Sequence, residues 1–181
     1  MEAATGIPRI GEGAEPIESI EWLRGFAEGY VAAWNAGDPQ AVAACATEDV
    51  VWTDPALAEP ARGRAEVAEF AVASLTAFPD LQFDEPGDPA MVEDGSAAYV
   101  PWVMSGTNSG PIDPPGFAPT GRSISITGFD VWQFRGGLIW RYEAIYDFNL
   151  LATQLGLTPP RGGLAERALV QAQRLRSRLP F

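Results

Sequence analysis

A chain of 181 residues with no histidine and one cysteine, Cys45, has few routes to covalent or metal chemistry. Without histidine there is no Ser-His-Asp or Cys-His nucleophile system and no His-ligated zinc or iron site. One cysteine forms neither an intrachain disulfide nor a metal-binding cluster. Acid–base work then falls to carboxylates, tyrosines, Cys45 or a bound ligand. Asp130 stands apart among the carboxylates, because it lies between Phe129 and Val131 in a run that also holds Trp132 and Phe134. A carboxylate in such a strand is costly unless it is paired or protonated. Asp54 precedes Pro55, a place for a turn or cap residue as readily as for a base. Tyr30 falls on an apolar helical stripe, where a tyrosine is ordinarily core. Cys45, in an Ala-rich stretch, reads as an inert packed thiol.

The elements that must position these groups change character along the chain. Residues 1–16 are rich in Gly, Pro and acid and read as a flexible arm. From Ile17 to Asn35 the apolar residues recur at helical spacing. Gly37 stops that helix and Asp38-Pro39 starts a short second one, about 39–47. Residues 50–53 read as a short strand closed by Asp54-Pro55, and the segment after Gly63 as a third helix ending before Pro79. Four stretches follow that are rich in β-branched and aromatic residues: LQFDE, AAYVPWVMSGT, RSISITGFDVWQF and GLIWRYEAIYDF. Arg135-Gly136-Gly137 marks a tight hairpin between the last two. The segment from Gly106 to Gly121 holds four prolines and four glycines. It reads either as an ordered loop beside a pocket or as a mobile lid. Asn149–Leu155 is a helical turn, and residues 164–179 repeat apolar positions as an amphipathic helix. Helices first and a meander of strands afterwards predict an α+β fold, a curved antiparallel sheet with helices on one face.

The charge balance narrows the partners. The chain carries 12 arginines, no lysine and 24 acidic residues, a formal charge of -12. That argues against nonspecific binding to nucleic acid or to an anionic membrane. No apolar run approaches 18 residues, and the acidic N-terminal segment lacks the basic and apolar regions of a signal peptide, so a soluble, cytoplasmic protein is expected. Five of the arginines, Arg161, Arg167, Arg174, Arg176 and Arg178, sit in the last 21 residues, opposed there by Glu166 alone. This tail reads as a solvated helix face, or as a helix that docks through its Leu stripe on its own acidic body or on a second subunit. A chain of this length buries roughly 68–70% of its unfolded surface, enough for one domain with an internal pocket.

Two family resemblances overlap on this frame. YVAAWNAGDPQAVAACATEDVVWTDPALAEPARGRAEVAEFAVASL (30–74) and ITGFDVWQF (126–134) resemble the bacterial ketosteroid isomerases. GTNSGPIDPPGFAPTGRSISITGFDVWQFRGGLIWRYEAIYDFNLLATQLGL (106–157) is similar to the SnoaL-like polyketide cyclases, above all in APTGR, the FRGGLI hairpin and QLG. Both belong to the nuclear transport factor 2-like superfamily. The resemblance implies a cone: a strongly curved, mainly antiparallel sheet, about three N-terminal helices and an apolar pocket between them, in a single domain over 17–158, followed by an Arg-rich C-terminal helix over 159–181.

The isomerase resemblance carries three site residues. It implies Asp54 as a base that removes a proton next to a carbonyl, with Tyr30 and a protonated Asp130 as hydrogen-bond donors to the oxygen on which charge develops. Ketosteroid isomerase is the standing example of an aspartic acid kept neutral in this way. The same Asp pair would also serve ring closure, dehydration or epoxide opening of a polyketide or terpenoid. A non-catalytic protein that binds a hydrophobic metabolite is the reading from another class. The cyclases' own acid–base pair is absent: Ala144 stands where they have a catalytic Asp, and Asp130 where they have a His. Asp147 aligns near the last helical turn and reads as a cap. The resemblance places Trp34, Trp52, Trp102, Trp132, Trp140, Tyr142 and Tyr146 on pocket-lining elements, as walls for a polycyclic or polyketide-like substrate. It implies chemistry without a cofactor or metal, and a homodimer paired through the outer sheet face.

Overall fold

The computed structural model describes residues 11–85 and 87–177. The first ten residues of the expected arm, and Arg178 and Leu179 of the tail, lie outside them. Helix α1 (Ile20–Asn35) begins three residues later than its apolar spacing suggests, because the Ser19 hydroxyl accepts from Trp22 N and fixes the cap there. Ile17 instead donates its N–H to Gly95 O. Helix α2 (Pro39–Ala44) is capped by Asp38, whose carboxylate accepts from Gln40 N and Ala41 N, with proline in the first turn. It ends at Ala44, short of the expected 47, because strand β1 (Ala46–Thr53) starts earlier than expected. Short strand β2 (Ala61–Arg62) leads into α3 (Gly63–Ala77). The buried side of α3 is Val67, Ala68, Ala71 and Ala77, small residues that let it pack closely.

The strands are β3 (Gln82–Asp84), β4 (Ala90–Met91), β5 (Ala98–Thr107), β6 (Ser123–Arg135) and β7 (Leu138–Tyr146). They form one curled sheet in the order β2-β1-β7-β6-β5-β3, with β4 on β5. The sheet is mixed: β1 runs parallel to β7 and the other pairs are antiparallel. The turn between β6 and β7 is the expected hairpin. Arg135 pairs with Leu138, and Gly136 (φ 56°) and Gly137 (φ 71°) both take the left-handed conformation of a two-residue loop. Helix α4 (Phe148–Leu155) follows, capped by Asp147, which accepts from Leu150 N as expected of a cap.

Two segments depart from their sequence readings. Residues 11–15, read as the end of a loose arm, lie along the end of β6. Glu15 N donates to Phe134 O, Gly11 N to Gln133 Oε1, and Arg135 Nε to Gly13 O. In the tail, α5 (Leu164–Arg176) leaves Leu164, Leu169 and Leu175 exposed, at 83% for Leu164. Its Leu stripe therefore does not dock on its own body. The proline-rich loop is ordered beside the pocket. Buried Asn108 donates to Ala77 O and Gly110 O and accepts from Thr120 N and Oγ1, which staples both ends of the loop to α3. No helix among the described residues is long and apolar enough to cross a membrane.

Candidate active site

The inner face of the sheet builds the site row by row, through strand register. Trp52 on β1, Tyr142 on β7, Trp132 on β6 and Ala98 on β5 form one cross-strand row. Ala144, Asp130 and Val100 form the next, and Tyr146, Gly128 and Trp102 the third. Asp130 thus has small Ala144 beside it and side-chain-free Gly128 two residues before it. The Trp102 indole lies across Gly128 and reaches Asp130 Oδ1 with its Nε1 at 2.7 Å. A Cβ on Gly128 would come within 2.5 Å of that ring and 2.7 Å of Ile145 O. We expect Gly128→Ala to cost about 1–3 kcal/mol by overpacking, read as a lower urea midpoint. An unchanged midpoint would mean the indole does not need this gap.

Asp130 is 2% exposed and accepts three hydrogen bonds. Trp102 Nε1 and Tyr142 Oη donate to Oδ1, at 2.7 and 2.9 Å, and Trp132 Nε1 to Oδ2 at 3.3 Å. Burial raises its pKa to about 7; the donors from Trp102 and Tyr142 oppose the shift and the Asp54 charge adds to it. Tyr142 is held flat against Trp52, ring centroids 3.5 Å apart and 9° between planes.

Asp54 lies just past β1, where the chain leaves the sheet, and is 9% exposed. Its Oδ1 accepts from Ala56 N at 2.8 Å and from Tyr146 Oη at 2.8 Å. Oδ2 accepts no hydrogen bond from the described residues. Burial raises the Asp54 pKa, and the Ala56 and Tyr146 donors pull it back.

Between these groups is an inner chamber of about 100 Å³, lined by Asp54, Trp34, Phe70, Phe83, Trp102, Tyr142 and Tyr146 with aliphatic neighbours. Ala56, Phe70, Ser74, Phe78 and Leu151 line both it and an adjoining outer groove of about 560 Å³. Ile112 and Phe117 of the proline-rich loop form part of the groove wall, with Glu59, Glu66, Glu69 and Asp113 among its polar residues. Neither space is lined by an arginine among the described residues.

Of the aromatic residues placed on the pocket by sequence, Trp34, Trp102, Tyr142 and Tyr146 line the chamber. Trp52 and Trp132 are fully buried behind it, Trp52 supporting Tyr142 and Trp132 bonded to Asp130. Trp140 is not a pocket residue. Gln133 pairs with Arg141 but Phe134 with Ile139, so Trp140 is the extra residue of a β-bulge, turned away from the chamber. The guanidinium groups of Arg135 and Arg141 cover its ring at 3.3 and 4.1 Å. Tyr30, 5% exposed, also lies behind the chamber wall, its ring 5.0 Å from that of Trp132. Burial and the nearby Asp130 push its phenol well above the usual range. The structure therefore gathers Asp54, Asp130 and Tyr30 around one centre, but only Asp54 of the three lines the chamber. Sequence reading did not link Tyr142 to Asp130. The available signal was register, since a tyrosine paired with Trp132 lies diagonal to Asp130. Cys45 is half-buried, bonds Ala41 O, and has its pKa raised by burial, as suits a packed thiol.

Comparison with known proteins agrees with this architecture. The SnoaL-like domain family matches residues 27–142. No curated protein sequence matches the chain. Among solved structures, TsrD from Streptomyces laurentii superposes with a TM-score of 0.66 at 24% identity, covering 78% of this chain and 100% of that one. A proposed polyketide cyclase from Xanthomonas campestris pv. campestris gives 0.64 at 22%, covering 76% and 99%. SalBIII, described as an epoxide hydrolase/cyclase-like enzyme with a role in pyran ring formation in the polyether salinomycin, gives 0.60 at 22%, covering 74% and 96%. With one family spanning most of the domain and these structures sharing its curled sheet and helices, the chain belongs to the SnoaL-like domain family and has the nuclear transport factor 2-like fold.

Proposed function

We propose that this protein is an enzyme that removes a proton from a carbon next to a carbonyl in a hydrophobic substrate, with Asp54 as the base. The observation that carries this reading is Asp54 itself. Among the described residues it is the one carboxylate lining the inner chamber, with one oxygen held by Ala56 N and Tyr146 Oη and the other accepting no hydrogen bond. A carboxylate so held, with its pKa raised by burial, is a stronger base than one in water. The walls suit a neutral substrate. Among the described residues neither space offers an arginine to anchor a carboxylate or phosphate, and the acidic groove would repel one. The most specific form is isomerisation of a β,γ-unsaturated ketone to its conjugated isomer. The test is turnover of such a steroid ketone, followed by the absorbance of the enone, with wild type and Asp54→Asn side by side.

Ring closure is the second reading, favoured by the size of the outer groove and its wall from the 106–121 loop. A chain folded on itself needs that room, and the first step, proton removal by Asp54, is the same. The reading includes a homodimer. Phe129 and Ile145, paired neighbours on the outer sheet face, are 37% and 40% exposed. Light scattering at micromolar protein is expected to give twice the 19.4 kDa chain mass. A monomeric mass would remove the dimer and leave the rest of the reading standing.

A further inference from the structure

We infer that Tyr142, and not Tyr30, is the hydroxyl that meets the substrate oxygen, and that Asp130 acts through Tyr142 as its positioning residue. This rests on Asp54 as base, and it assigns the other half of the same proton transfer. Three observations carry it. Tyr142 lines the inner chamber, while Tyr30 and Asp130 lie behind its wall. Tyr142 Oη is bonded to Asp130 Oδ1 at 2.9 Å. The other two partners of Asp130 are indole N–H groups, which donate and cannot accept. Of the three groups bonded to Asp130, only the Tyr142 oxygen can take a hydrogen bond from a protonated Asp130.

The step balances as follows. Asp54 takes the proton and the C–H electron pair becomes the new C=C bond. The carbonyl π pair moves onto oxygen. The Tyr142 O–H turns from Asp130 to that oxygen and donates to it. The proton on Asp130 then bridges Asp130 and the Tyr142 oxygen, so no bond to Tyr142 breaks. Asp54 later returns its proton to the substrate. Tyr142 is kept in line throughout by its stack on Trp52. The chain requires Asp130 to be protonated, and its raised pKa supplies that form up to near neutral pH. Among the described residues the titratable groups facing Asp130 and Tyr142 are Tyr30 from α1, Asp54 after β1 and Tyr146 of β7, none of them a cation.

The probe is 2-naphthol, an aromatic oxygen acid that mimics the enolate and reports its own ionisation by fluorescence. Binding is measured on full-length protein in the Asp54→Asn background, so that failure of the base reading, seen in turnover, stays separate. Tyr142→Phe is expected to weaken naphthol binding at least tenfold, and Tyr30→Phe by no more than about threefold. With Asp130 intact, affinity is expected to fall as pH rises through about 7. In Asp130→Asn that inflection disappears. Near-UV circular dichroism checks folding, and phenylalanine keeps the ring on Trp52. Should Tyr142→Phe not fold, the pH series with Asp130→Asn carries the test. Unchanged binding in Tyr142→Phe, loss in Tyr30→Phe instead, no binding to the Asp54→Asn protein, or an inflection that survives Asp130→Asn would each overturn the assignment.

Discussion

Asp54→Asn is expected to lower kcat on the steroid ketone by about 10²–10⁴-fold with little change in substrate binding. Asparagine has the shape of aspartate and keeps an oxygen for the Ala56 N and Tyr146 Oη bonds, so the local turn survives. What it loses is the ability to take a proton. No histidine is present to replace it, and Asp130 lies behind Tyr142 and Trp102. The pH profile adds a second reading. A base works deprotonated, and burial raises the Asp54 pKa, so the wild-type rate should climb with pH through a midpoint above the ordinary carboxylate value of about 4. That limb should be missing from the residual rate of the variant. Activity above about a tenth of wild type in Asp54→Asn would sink the base assignment.

Much of this site was legible from sequence, and the part that was not has physical causes. Asp130 announced itself, because a carboxylate between Phe129 and Val131 has to be satisfied by something. The hairpin was legible because two consecutive glycines after Arg135 fit the left-handed pair that a two-residue turn demands. Trp140 was misplaced because the resemblance puts its strand along the pocket but does not say which way each side chain of that strand turns. The bulge between Gln133 and Phe134 shifts the parity by one, and nothing in the local residue types marks it. Tyr30 was placed with the chemistry through its register in the isomerases. Here Tyr142 and Trp34, which pack against its ring, line the chamber instead, and the seat of Tyr142 depends on pairing across three strands. Short-range patterns cannot carry that. Composition predicted a mobile end to the arm, whereas residues 11–15 are held by Gln133, Phe134 and Arg135, far away in sequence.

Asp130→Asn is expected to gain about 2–3 kcal/mol of stability relative to wild type between pH 5 and pH 8, and to be as stable or more stable at pH 8. In wild type the folded-state pKa is about 7, against a usual value of 3.8. Between those values the folded protein keeps a proton that the unfolded chain releases. Wild-type stability therefore falls as pH rises through this window, by about 4 kcal/mol from this group if the whole shift is realised. The asparagine variant does not titrate there and escapes that loss. It has its own fixed cost. Its carbonyl oxygen still accepts from Trp102 and Tyr142, but its amide now faces the Trp132 N–H, donor against donor. One buried indole N–H without an acceptor costs about 1–3 kcal/mol at every pH. At pH 5 the unfolded chain has already released most of this proton, so about 2 kcal/mol of the wild-type loss is present and offsets much of the fixed cost. At pH 8 the wild-type penalty meets or exceeds that cost. Urea melts of both proteins at the two pH values measure the difference directly, and other carboxylates cancel between them because they are common to both. A stability difference independent of pH would mean that Asp130 is already ionised at pH 5 in the folded protein, and the proton bridge to Tyr142 would fall with it.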